Sequence, residues 1–349
     1  MLIAEKLRRL TEMDAKEIRF RIAQSLRVHR EQLQLALDGK QFRDSAWWRH
    51  WDARNISDSD LRAAILKNDG RTAAVLLPEY FACRKAPAFY WTHCERDSIV
   101  TTLKRCFPGR AERLVQDAEA LCAHRFSIFA YPEISCGAQI PWRRDLVHGV
   151  ESQLGHYSRQ APLSMEKTGD SKIVWELNRH QHFFTLGAAY LLTGNEKYAE
   201  ECLAQWEDWS HKNPYLQGIN WASSLEVAFR AWSWSWTLFL LLGSRALTGE
   251  RIGKITQALS RSASFIAENL STYFSPNTHL LGEGFALFVV GTLFPELKGA
   301  EEWRELGKNI LIEEMQKQVR EDGSHFEQSI FYHRYAVEFF LCASILAGR

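Results

Sequence analysis

Apolar residues recur at helical spacing over most of the chain. Between residues 3 and 37, Leu7, Leu10, Ile18, Ile22, Leu26, Leu33 and Leu37 share a face while Arg and Glu fill the other, which predicts two helices ended by Asp38-Gly39-Lys40. Residues 41–110 are less regular. There, Ile56–Asn68 reads as a short helix capped by Ser57 or Asp58 and stopped by Asp69-Gly70, and Cys106–Arg110 reads as a Pro-Gly turn. From Ala111 the helical pattern strengthens. Ala111–His124 is one helix, and Ser127–Trp142 is broken by Pro132, Gly137 and Pro141. Helices follow at Asn178–Leu192, Glu196–His211, Trp221–Leu242, Glu250–Tyr273, Thr278–Leu293 and Glu301–Arg320, with a last one from about Phe326. Short connections make successive helices antiparallel. With no fixed repeat period, the fold class is all-α, an incomplete (α/α) toroid or barrel of helix hairpins and not a regular solenoid. Residues 111–349 form the toroid and residues 1–110 a helical extension packed on it.

Composition changes this picture little. An apolar share of 46% supports a real core, and a net charge of +1 gives no support to nucleic-acid binding by bulk electrostatics. The 13 Trp fill a large aromatic core, and some of them suit a carbohydrate cleft, where sugar C–H faces pack on rings. Seven scattered Cys without C-x2-C spacing read as reduced thiols. The N-terminus has no apolar signal core and no uninterrupted apolar run reaches membrane-spanning length, so the chain reads as cytoplasmic, or periplasmic if a leader has been removed. The apolar run Glu338–Ala347 has no polar tail after it, which fits either a buried helix or a part of a longer protein.

Four polar clusters interrupt the apolar helices. In Ser275–Glu283, Asn277 and His279 sit at a helix start, where free N–H groups suit a carboxylate or simply a cap. In Trp175–His182, Glu176, Arg179 and His180 crowd another helix start, as a solvated cap or as part of a site. In Gly218–Arg230, Glu226 and Arg230 are spaced i, i+4, either as a structural ion pair or with Arg230 free to hold a carboxylated sugar, and Trp221 is a candidate stacking platform. In Asp322–His333, Tyr332 and His333 are a candidate acid–base pair or ordinary core side chains. There is no P-loop, dinucleotide glycine pattern, Gly-x-Ser-x-Gly, His-Glu-x-x-His or metal-ligand spacing.

Taken with Thr193–Ala199 and Asn213-Pro214, these ordered motifs resemble the heparinase II/III-like family of polysaccharide lyases, which includes heparin-sulfate and alginate lyases. The likeness is strong from about residue 110 to 349. It implies an α/α toroid followed by a β-sandwich, which this chain lacks, and cleavage of uronate-containing polysaccharides by β-elimination without a cofactor. It further implies that Asn277 and a nearby His neutralise the substrate carboxylate, that Tyr332 acts as acid and in some members also as base, and that a further His comes from the second domain. The catalytic candidates are thus Asn277, His279 and Tyr332. The substrate-binding candidates are Arg179, His180, Trp221, Glu226, Arg230, Glu283 and His333, with no metal site, and the expected partner is an acidic polysaccharide. Two alternatives stay open at this point: an inverting glycoside hydrolase using two of Glu226, Glu283, Asp322 and Glu327, and a non-catalytic glycan-binding protein of exopolysaccharide production.

Overall fold

The computed structural model describes residues 13–37, 46–84 and 86–348. α1 (Ala15–Leu37) is one continuous helix, and the rest of the two-helix expectation lies outside the described residues. α2 (Ser59–Leu66) starts where Asp58 accepts from the Leu61 N–H. The Asp69-Gly70 step ends it but also starts α3 (Gly70–Cys83), because Asp69 accepts from the N–H and hydroxyl of Thr72. α4 (Arg96–Cys106) and α5 (Pro108–Cys122) follow. The expected Pro-Gly turn is instead the first turn of α5, where a proline loses no hydrogen bond. A two-residue antiparallel pairing, β1 (Arg125–Phe126) with β2 (Ile134–Ser135), is the one sheet among the described residues.

Nine helical segments complete the series: α6 (Met165–Thr168), α7 (Ser171–Asn178), α8 (His182–Thr193), α9 (Glu196–Lys212), α10 (Ser224–Leu240), α11 (Gly249–Glu268), α12 (Thr278–Leu293), α13 (Ala300–Gln318) and α14 (Ile330–Ala347). Hairpins α8/α9, α10/α11 and α12/α13 pack side by side, and α8, α10, α12 and α14 touch in succession as the inner layer. The sequence explains this placement. α12 is apolar around nearly its whole circumference and α10 is mostly apolar, with Glu226 and Arg230 themselves buried, so neither has a face for water. All of α10 is buried except Trp236, and all of α12 except His279 and Thr292. The (α/α) toroid arrangement is therefore as expected.

Some boundaries moved. The helix expected from Asn178 starts at His182, and Asn178 instead ends the unexpected α7, because His180 takes a left-handed backbone (φ 56°) and breaks the chain between them. The last helix starts at Ile330 and not at Phe326. α11 stops at Glu268, five residues early, because the Ser271 N–H turns to the Glu283 carboxylate. α14 is long and apolar enough to cross a membrane by length and composition, although His333, Arg334 and Glu338 interrupt it. In this fold it packs on α12, burying Ala336, Phe339 and Ala343.

Candidate active site

Alternate helices of an antiparallel series point the same way. The N-termini of α8, α10, α12 and α14 therefore gather at one end of the toroid, and the four polar clusters lie at these four starts. The junction of α7 and α8 supplies Arg179, whose Nε and Nη2 donate to both oxygens of Glu226 on the first turn of α10 (2.7 and 3.0 Å). Its Nη1 donates to Glu176 (2.8 Å) and to the hydroxyl of Tyr335 on α14 (3.3 Å). The guanidinium lies 4.5 Å from the Phe229 ring centroid. One cation thus holds two carboxylates and a phenol together. Burial pushes Glu176 above the ordinary carboxylate range, against the pull of Arg179. Burial also raises Tyr335, while Arg179 opposes it.

The start of α12 is anchored to the loop before α14. The Asn277 side chain accepts from the His279 N–H (3.1 Å) and donates to Glu327 (2.9 Å). Glu327 also takes the N–H (3.3 Å) and the hydroxyl of Thr278. His325 lies 3.9 Å from Glu327 and bonds to Gln318 (2.9 Å). Burial lowers His279, with Glu226 and Glu327 pulling the other way. Burial thus favours the neutral form of its imidazole. Tyr332 stands on the first turn of α14, 44% exposed, and His333 beside it is half-buried. Among the described residues no group of three or more His, Cys, Asp or Glu is placed to hold a metal ion.

The structure corrects several expectations. Glu226 pairs with Arg179 and not with Arg230. Arg230 is fully buried between Trp209 and Trp221, so it neither reaches a sugar nor serves the exposed Tyr332 as a cation. His180 is sealed in the core, where Trp234 Nε1 donates to it (2.9 Å). Trp221 is buried, with Arg230 and Tyr215 against its ring, so it is no open stacking platform. Glu283 is fully buried and accepts from the Ser271 N–H (2.7 Å) and hydroxyl (2.6 Å). With Glu283 sealed and Glu226 and Glu327 committed to protein partners, the carboxylate pair needed by a glycoside hydrolase is not favoured. Sequence reasoning missed Tyr335, although it stands one turn beyond Tyr332 at the i+3 spacing that places both on one helix side.

Comparison with known proteins adds lineage to this geometry. A model of the family described as Heparinase II/III N-terminus matches residues 55–349. A heparin-sulfate lyase of Pedobacter heparinus is 32% identical over 207 residues, covering 57% of this chain and 31% of that protein. A heparin-sulfate lyase of Bacteroides stercoris is 32% identical over 266 residues, covering 70% of this chain and 36% of that protein. The chain thus spans about a third of the length of these relatives. The crystal structure of heparan sulfate lyase HepC from Pedobacter heparinus superposes with a TM-score of 0.60 at 25% identity, over 87% of this chain and 44% of that one.

Proposed function

The chain belongs to the heparinase II/III family, and from that premise we propose that it is the toroid part of a polysaccharide lyase that cleaves an acidic, uronate-containing polymer by β-elimination. The observation that carries the reading is the start of α12, where Asn277 and the half-buried His279 face the segment that leads into Tyr332. The C5 proton of a uronate is removed only once its carboxylate charge is quenched. Donors aimed at the enolate-like intermediate therefore contribute most to the rate. The amide hydrogen of Asn277 that Glu327 leaves free and the ring N–H of His279 are such donors. In the reaction the C5–H bond breaks to a base, the C4–O4 bond breaks, the C4=C5 double bond forms, and Tyr332 gives its phenolic proton to the departing O4. Arg179 with Glu176, Glu226 and Tyr335 acts beside this centre as a positioning group.

The test is ultraviolet absorbance of the unsaturated uronate product, screened over heparan sulfate, alginate, hyaluronan and bacterial exopolysaccharides. Tyr332→Phe is expected to lower kcat by about 10²–10⁴ with polymer binding retained. Unchanged turnover in that variant, or no absorbing product from any uronate polymer, would overturn the reading.

A further inference from the structure

The apolar stripe of α1 faces away from the protein. Ile22, Leu26, Leu33 and Leu37 recur at helical spacing, and each is between 55% and 83% exposed. The inward side carries charge instead. Glu31, the one buried residue of α1, accepts from the Tyr157 hydroxyl (3.1 Å) and lies 3.4 Å from the His156 imidazole. Arg27 donates to Asn269 (2.8 Å) and pairs with Glu268 (3.5 Å) at the end of α11, and Gln32 donates to Ser158 (3.0 Å). Phe20 also packs inward, on Tyr273, with ring centroids 5.2 Å apart. Burial of apolar area alone would turn the leucines inward. Polar anchors hold the helix the other way round and leave a contiguous apolar strip in water, the kind of surface that marks an interaction site.

The charges beside the strip select the partner. Arg19 stands three residues before Ile22, and Arg30 four after Leu26 and three before Leu33, the spacings that set side chains next to each other on a helix. Both acids of α1 are already held, Glu17 by Arg21 (2.6 Å) and Glu31 by the inward contacts. Glu268, which lies in the field of both Arg27 and Arg30, is paired with Arg27. Lys16, Arg19 and Arg30 are exposed and form no ion pair among the described residues. An apolar strip edged by cations fits a partner that has an anionic surface over an apolar layer, which is a bilayer containing anionic lipid. A second copy of the chain fits poorly. The pairs Ile22/Leu37 and Leu26/Leu33 share one midpoint, between His29 and Arg30, so an antiparallel pair of strips would bring the two Arg30 side chains together. A parallel pair would set Arg19 on Arg19 as well, and like charges so placed repel.

We propose that α1 is a docking helix that lies along the surface of an anionic lipid bilayer, with Ile22, Leu26, Leu33 and Leu37 at the acyl boundary and Arg19 and Arg30 among the headgroups. It stands independently of the lyase reading. Co-sedimentation of the whole chain with vesicles of phosphatidylglycerol and phosphatidylcholine, against vesicles of phosphatidylcholine alone, tests it. Binding to the anionic vesicles is expected to be about 10²-fold tighter than to the neutral ones, from three cations near the surface. It is expected to weaken as salt is raised. Leu26→Glu with Leu33→Glu is expected to abolish binding, and Arg19→Glu with Arg30→Glu to remove the preference for the anionic vesicles. Thermal unfolding is expected to stay unchanged in both variants, since all four side chains meet water. Absence of binding to the anionic vesicles, equal binding to the neutral ones, or binding that survives either pair of substitutions would overturn the proposal. A dimer in sedimentation equilibrium that dissociates in Leu26→Glu with Leu33→Glu, without vesicle binding by the wild type, would assign the strip to a second copy and overturn it as well.

Discussion

Arg179 joins three elements through one side chain, and its ion pair with Glu226 is largely removed from water. Breaking such a pair leaves an uncompensated charge, so Arg179→Ala is expected to cost about 3–5 kcal/mol in denaturant unfolding. Arg179→Lys is expected to recover only part, because an ammonium cannot grip both Glu226 oxygens. Glu283 makes a different prediction. Burial pushes its carboxyl up to about 8, against the ordinary 4.5. The folded state holds it protonated over a range where the unfolded chain ionises. Its contribution is therefore fully present below about pH 4.5 and is lost as pH rises through about 8, a loss on the order of a few kcal/mol. Buried His180 and half-buried His182 act in the opposite sense, losing stability as pH falls below 6.5. Comparing wild type with Glu283→Gln isolates the glutamate. The melting-temperature difference between them is expected to move in favour of the variant from about pH 5 to pH 8, and a flat difference would refute the assignment.

At the level of elements, α12 was legible to the residue, since Pro276 and Asn277 start it and the apolar run carries it to Leu293. α3 was not legible. Gly70, which read as part of a stop, begins it, and Pro78 lies inside it, where a proline ordinarily breaks a helix. Packing against α11 overrides that local preference, and the approach is so close that a Cβ on Gly249 would meet the Ala74 carbonyl oxygen. The α12/α13 hairpin depends on a similar approach. A Cβ on Gly307 would lie 2.4 Å from both the Gly284 oxygen and the Phe288 nitrogen, backbone atoms that cannot swing aside. Gly307→Ala is therefore expected to lose about 1–3 kcal/mol in thermal unfolding, even though Ala is the better helix former by about 1 kcal/mol.

Across the whole molecule, residues 46–106 are tied to the later helices by charge as well as by their tryptophans. Arg84 pairs with Glu296 at 2.6 Å, both side chains nearly inaccessible, and Tyr80 donates to the same carboxylate. Trp51 bridges to Leu297 alongside. Glu296→Ala would strand the Arg84 charge, at an expected cost of about 3–5 kcal/mol. Limited proteolysis is expected to cut residues 46–106 before the rest of the chain in that variant, and a cleavage pattern identical to wild type would argue against this tie. Helical class, hairpin order and the four polar helix starts were determined by the sequence alone, because periodicity and capping are written within a few neighbouring residues. The choice of partners was decided only by the tertiary structure. The sequence reading offered Glu226 only Arg230, four residues on, and the packing of the inner helices gave it Arg179, 47 residues away in sequence, while closing two tryptophans over Arg230. Whether a charge meets water, a carboxylate or an aromatic wall depends on what other helices bring to it, and no local pattern encodes that.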